Sequence, residues 1–214
     1  MGKSQLSGNT DMSTSPADNV ISLYREHADA FEKLRGKQLV ERAWLEAFLD
    51  LLPGPAPEVL DIGCGTGIPI ARHLIERGCR LTGVDASDAL LARARASFPE
   101  HSWIEADMRS LPPLRPFQGL IAWHSFFHLR PEDQRPMFDA FERLAAPGAA
   151  LMFTSGTHLG EAIGQFEGQP LYHGSLDTAE YRELLRQTGF EVMRHVEADK
   201  TCGGANIWLA QRRR

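Results

Sequence analysis

Val59-Leu60-Asp61-Ile62-Gly63-Cys64-Gly65-Thr66-Gly67-Ile68-Pro69 decides how this chain is read. An apolar run breaks into glycine at every second position, then passes into the helical pattern Ile70, Ala71, Leu74, Ile75, which predicts strand, tight turn and helix. Glycine has no Cβ, so a ligand can lie against bare backbone, and the amides that open the next helix add donors and a partial positive charge. The stretch therefore predicts a pocket floor for something flat or carboxylate-bearing. A dinucleotide loop would need a third glycine three residues after the second, and Ile68 holds that place. A triphosphate loop would need Gly-Lys-Ser/Thr, and none follows.

The spacing Gly63, Gly65, Gly67 closely resembles the nucleotide-binding loop of S-adenosylmethionine-dependent methyltransferases of the Rossmann-like class. The resemblance runs from Val59 to the C-terminus and is strongest over the first three motifs. It implies an α/β fold: a doubly wound, Rossmann-like, seven-stranded sheet, mostly parallel with an antiparallel last strand, helices on both faces and an N-terminal helical cap. It implies S-adenosyl-L-methionine as cofactor, with Asp61, Gly63, Cys64, Gly65 and Gly67 around it.

Downstream, Arg80-Leu81-Thr82-Gly83-Val84 predicts a short buried strand with Asp85 at its carboxyl end, followed by Ala86. Open parallel sheets bind ligands beyond the carboxyl ends of their strands, and an acidic side chain there accepts both hydroxyl protons of a ribose. Capping the next helix is the other use for Asp85, but Ser87 already fills that place. A third strand over residues 101–106 leads to Asp107 and Met108, where the resembling family places an acid that accepts from the adenine amino group. The exocyclic amine is the base's best donor, and the Met108 amide can serve ring nitrogen N1.

The apolar run over residues 117–123 predicts the strand beside the first, and its end, His124-Ser125-Phe126-Phe127-His128, faces the pocket where a methyl acceptor belongs. Imidazole titrates near neutrality, so His124 and His128 are the candidate catalytic residues, His124 bordering the cofactor as well. The family's nucleic-acid amino-methyltransferases carry Asn/Asp-Pro-Pro-aromatic here, and this chain does not. Histidines four apart suit a metal on a helix, but no carboxylate at ligand spacing accompanies them, and no metal is expected. Residues 155–175 have no clear period and read as a long loop, the expected substrate lid. Tyr24, Arg35, Phe127, His158, Tyr172 and His173 are the candidate substrate residues, with Phe31 beside Tyr24 in the cap.

The chain's 214 residues predict one domain, and 43% hydrophobic content suffices for its core. A formal charge of −5 supplies no basic field for nucleic acid, so a small-molecule substrate is expected. No window is apolar enough to span a membrane. Three cysteines without Cys-x-x-Cys spacing read as reduced thiols of a cytoplasmic protein. Residues 1–17 are polar and expected as a disordered tail, and residues 18–214 as the domain, with 18–52 forming a two-helix cap interrupted at Gly36. A helix over 177–187 and two strands around Cys202-Gly203-Gly204 close the chain. The state expected is monomer or homodimer. The expected function is methyl transfer from S-adenosylmethionine to a small molecule. A non-catalytic adenosylmethionine- or nucleotide-binding module is the alternative, though it would need no aromatics and histidines at a strand end.

Overall fold

Alternation along the strands sets the two-layered core of the computed structural model, which describes residues 15–214. Five strands come first: β1 (Glu58–Ile62), β2 (Arg80–Asp85), β3 (Ser102–Glu105), β4 (Phe117–Ala122) and β5 (Ala145–Ser155). All pair in parallel, β1 with both β2 and β4. After β6 (Gly160–Phe166) and β7 (Gln169–Ser175), which pair only with each other, come β8 (Phe190–Asp199) and β9 (Ala205–Arg212). The sheet order is β3-β2-β1-β4-β5-β9-β8, with β9 antiparallel to both neighbours. This is the seven-stranded, mostly parallel sheet expected.

Successive side chains leave a strand on opposite faces. Val59 of β1 and Met152 of β5 pack with Trp44, Phe48 and Leu74 of α3 (Arg42–Leu51) and α4 (Ile70–Glu76), and with Leu91 of α5 (Asp88–Ser97). Leu60, Ile62 and Phe153 point the other way, to Phe138 and Phe141 of α6 (Pro131–Leu144) and Tyr181 of α7 (Thr178–Gln187). Each such fully buried side chain contributes about 1.5–3 kcal/mol of hydrophobic stabilisation. The chain runs β1, β2, β3 outward and then returns to place β4 against β1, so the strand order reverses between them. A crevice opens at such a reversal, beyond the carboxyl ends of the strands.

Three features differ from expectation. The leading segment forms three helices, because α1 (Pro16–Glu26) breaks at His27 before α2 (Ala28–Arg35). Residues 1–14 of the expected tail lie outside the described residues, but Ser15 to Ala17 start α1: the Ser15 hydroxyl accepts from the Ala17 amide and Pro16 takes the first turn. Only α1 and α2 lie over the crevice, whereas α3 is core. Third, residues 155–175 are not an irregular loop. β6 and β7 form a hairpin whose two-residue turn, Glu167-Gly168, has both residues at positive φ (50° and 76°), the type I′ geometry whose twist suits two strands.

Candidate active site

The loop after β1 turns on left-handed glycines: Gly63, Gly65 and Gly67 have φ of 76°, 55° and 74°, a region closed to most side chains. At Gly63 a Cβ would lie 2.2 Å from the Ser125 Cβ, and the Ser125 hydroxyl is fixed by donating to the Ile62 carbonyl at 2.6 Å. The loop amides of Gly63 and Cys64 both donate to the Val84 carbonyl, tying β1 to β2. Gly63 and Gly65 line a cavity of about 890 Å³, open mouth included, at the carboxyl ends of β1, β2 and β4. Cys64 and Gly67 do not. The Cys64 thiol lies near the Gly65 carbonyl, and the space at Gly67 is taken by the Trp103 ring, 3.0 Å from where a Cβ would stand. That glycine therefore serves helix–sheet packing.

Asp85, at the end of β2, lines the cavity and holds its rim. One carboxylate oxygen accepts from the Gly65 amide and the other from the Ser87 amide, each at 2.8 Å. Each oxygen keeps a second acceptor position, so two neighbouring hydroxyls can be held at once. Burial raises the Asp85 pKa, partly offset by the backbone amides of Ser87, Gly65 and Ala86 and by the Arg25 charge. Asp61 is 3% exposed and lies behind the cavity wall rather than in it. Burial, with the negative charge of Asp85 beside it, pushes its carboxyl up to about 7. The floor thus carries two crowded acids, an arrangement that favours a cationic guest. Ala86, Asp107 and Met108 line the same cavity. Asp107 grips the Arg109 guanidinium through both oxygens, at 2.6 to 3.1 Å, and caps its backbone amide. Burial opposes its charge, but Arg109 holds the carboxyl below the usual range.

The cavity's cover is made by α1. Ala17, Val20, Ile21 and Tyr24 line it, with Phe31 of α2. Of these the sequence reading had only Tyr24 and Phe31. The missed signal is the spacing 17, 20, 21, 24, one face of a helix. Ion pairs fasten the cover on either side: Arg130 to Asp18, Arg25 to Glu105, and Arg93 to Asp29 and Glu32. Arg25 also donates to the Ala86 carbonyl at 2.9 Å. Arg35 does not line the cavity; its guanidinium is paired with the fully buried Glu41. Its charge still reaches Asp61 and His124.

On the acceptor side the histidines part company. His124 lines the cavity at φ 51°, its amide donating to the Thr154 hydroxyl at 2.9 Å. It keeps an exposed edge, but the protein packed around the ring, with the Arg35 charge, lowers its pKa to about 4. A base that weak stays neutral at pH 7 and takes a proton poorly, which counts against the general-base role expected of it. His128 also borders the cavity, with both ring nitrogens engaged. Nδ1–H donates to the Tyr172 carbonyl at 2.8 Å, leaving Nε2 to accept from the Tyr24 hydroxyl at 3.0 Å. Burial lowers its pKa to about 4 as well. His128 is thus a brace joining α1 to β7 rather than a free base, and burial with the Asp85 charge pushes Tyr24 up to about 12.

Tyr172 is 2% exposed and donates to Glu161 Oε1 at 2.8 Å, so it is hairpin core and not a substrate contact. Phe127 and His173 meet with tilted rings, 5.3 Å between centroids, and, with His158, line a separate groove. Among the described residues no three His, Cys, Asp or Glu stand together as a metal site. No helix among them is long and apolar enough to cross a membrane.

Residues 59–148 match the family of the methyltransferase domain. An O-methyltransferase of Pyrenophora dematioidea is 28% identical over 169 residues, which are 73% of this chain and 62% of that protein. A malonyl-[acyl-carrier protein] O-methyltransferase of Enterobacter lignolyticus is 29% identical over 117 residues, 54% of this chain and 46% of that one. The chain thus spans less than two thirds of the length of either relative. The magnesium protoporphyrin IX methyltransferase of Synechocystis PCC 6803, solved with bound SAH (S-adenosylhomocysteine), superposes with a TM-score of 0.71 at 20% identity. The match covers 92% of this chain and all of that one. At that identity the likeness carries the fold and not the acceptor.

Proposed function

We propose that this chain, whose residues 59–148 match the methyltransferase domain family and whose fold is Rossmann-like, transfers a methyl group from S-adenosylmethionine to a small-molecule acceptor. The observation that carries the proposal is Asp85: a carboxylate at the end of β2, each oxygen anchored by one backbone amide and free to accept one more hydrogen bond, in the same cavity as Gly63 and Gly65. Asp85 would hold the ribose hydroxyls, Asp107 and Met108 the adenine, and the glycine loop the methionine end. A sulfonium and an ammonium are the cations that the crowded Asp61 and Asp85 favour. The sulfonium makes the methyl electrophilic; the chain's own part is to hold the acceptor in line at near-attack distance and to exclude water. The α1 cover, pinned by its ion pairs, supplies the exclusion.

A non-catalytic module has no observation in its favour, and the relatives named above are methyltransferases. The test is incubation with methyl-labelled S-adenosylmethionine and a panel of small molecules, read as S-adenosylhomocysteine release together with label in a product. Cofactor binding without release across a broad panel would favour the module, and absence of binding would overturn both. The acceptor is expected to be a small molecule and not nucleic acid, the protein monomeric or dimeric, and its compartment the cytoplasm.

A further inference from the structure

The groove beyond Phe127 lies between the end of β5 and the β6–β7 hairpin, and Phe127 stands between it and the cofactor cavity. The Phe127 ring is 5.7 Å from that of His124, which lines the cavity, and 5.3 Å from that of His173, which lines the groove. A molecule seated there against Phe127 is one ring away from the cofactor cavity, and it meets a methyl offered there when the Phe127 ring turns aside. The groove's chemistry is one-sided. Among the described residues Glu161 is the only Asp, Glu, Lys or Arg that lines it. The Ser155 and Ser175 hydroxyls already donate to the carbonyls of Gly156 and Leu176. Phe127, Leu159 and Ala162 add apolar surface. Arg35, the cation whose charge reaches His124, is held by buried Glu41. Among the described residues no Lys or Arg lines the groove to pair with a carboxylate or phosphate, while the Tyr172 hydroxyl donates to Oε1 of Glu161 and orients its carboxylate.

We propose that this groove is the acceptor site and that the acceptor is an amine with an apolar or aromatic body, not a carboxylic acid; the proposal rests on the methyltransferase reading. Glu161 draws in the ammonium form. The free-base fraction reacts: the nitrogen lone pair forms the N–C bond to the methyl, the C–S bond breaks with its electron pair going to sulfur, and the methylated ammonium releases its proton to solvent through the open groove. His173 stays neutral beside it, since burial lowers its pKa, and so adds no repulsion.

The test uses 2-phenylethylamine and 3-phenylpropanoate, similar aromatic bodies with opposite charge, titrated into the full chain loaded with S-adenosylhomocysteine. The amine should bind more tightly than the carboxylate. Glu161→Gln should weaken the amine about five- to tenfold while leaving the carboxylate and the nucleoside unchanged, and Glu161→Lys should reverse the preference. Equal or tighter binding of the carboxylate, binding of neither probe, or an amine affinity indifferent to Glu161→Gln would overturn the amine assignment. Failure to load S-adenosylhomocysteine at all would strike the methyltransferase reading instead, and the two failures are seen in separate titrations.

Discussion

The two walls of the cavity are built by different physics. The floor, from β1 to β3, is made of backbone: left-handed glycines, loop amides on the Val84 carbonyl, and Asp85 capping two amides, all within short stretches of chain. The acceptor wall is made of side chains far apart in sequence. Tyr24 meets His128, 104 residues away, and His128 meets the Tyr172 carbonyl, 44 residues further on. A floor of this kind has little freedom to rearrange, whereas a wall of single hydrogen bonds can be altered piece by piece without unfolding the domain.

The contrast breaks most visibly at Gly63. Gly63→Ala forces a Cβ into left-handed φ at about 1–2 kcal/mol and displaces Ser125 at about 1–3 more, so the melting temperature should drop by roughly 5–15 °C. An unchanged melting curve would mean that the floor yields as readily as the wall. The same positive φ at Gly65 makes any bulky replacement there a test of strain rather than of cofactor binding.

Next comes the charge stored beneath the floor. The folded pKa of Asp61, about 7, lies above its unfolded value, so the native state binds the extra proton between about pH 4 and 7. Stability from this group is therefore present at low pH and is lost as pH rises through that window. Asp61→Asn should remove that slope and, above pH 7, be more stable than the natural chain by on the order of 4 kcal/mol. Urea melts at pH 5 and pH 8 check it, and parallel pH dependences in the two proteins would contradict it.

Much of the floor was legible in the sequence because its signals are local: glycine spacing, an acid at a strand end, Ser87 in the cap position. Local spacing did not reveal which residues turn toward the ligand. Asp61, Cys64 and Gly67 share the motif yet lie outside the cavity, Asp61 buried at the end of β1 and Gly67 packed against the Trp103 ring. The wall was hardly legible. Glu167-Gly168 is a less familiar I′ turn than Asn-Gly, so the hairpin read as a loop. The engagement of both His128 nitrogens and the pairing of Arg35 with Glu41 depend on tertiary partners that no spacing encodes.

Asp85→Ala sharpens the contrast at the ligand itself. It should weaken S-adenosylmethionine by about 1.5–3 kcal/mol, with calorimetry as the measure, and full affinity would remove the ribose role. The smallest effect belongs to the wall. Tyr24→Phe deletes one hydrogen bond to His128 and should lower stability by about 1 kcal/mol, without a comparable loss of cofactor affinity in the same titration. A loss as large as that of Asp85→Ala would mean that the Tyr24 hydroxyl itself holds the cofactor.

Co-crystallisation with S-adenosylhomocysteine tests the central claim most directly. The ribose hydroxyls should lie within hydrogen-bond distance of the two Asp85 oxygens, the adenine beside Asp107 and Met108, and the sulfur on the His124 side of the glycine loop. Electron density for the nucleoside anywhere but under α1, or an Asp85 carboxylate turned away from it, would contradict the account.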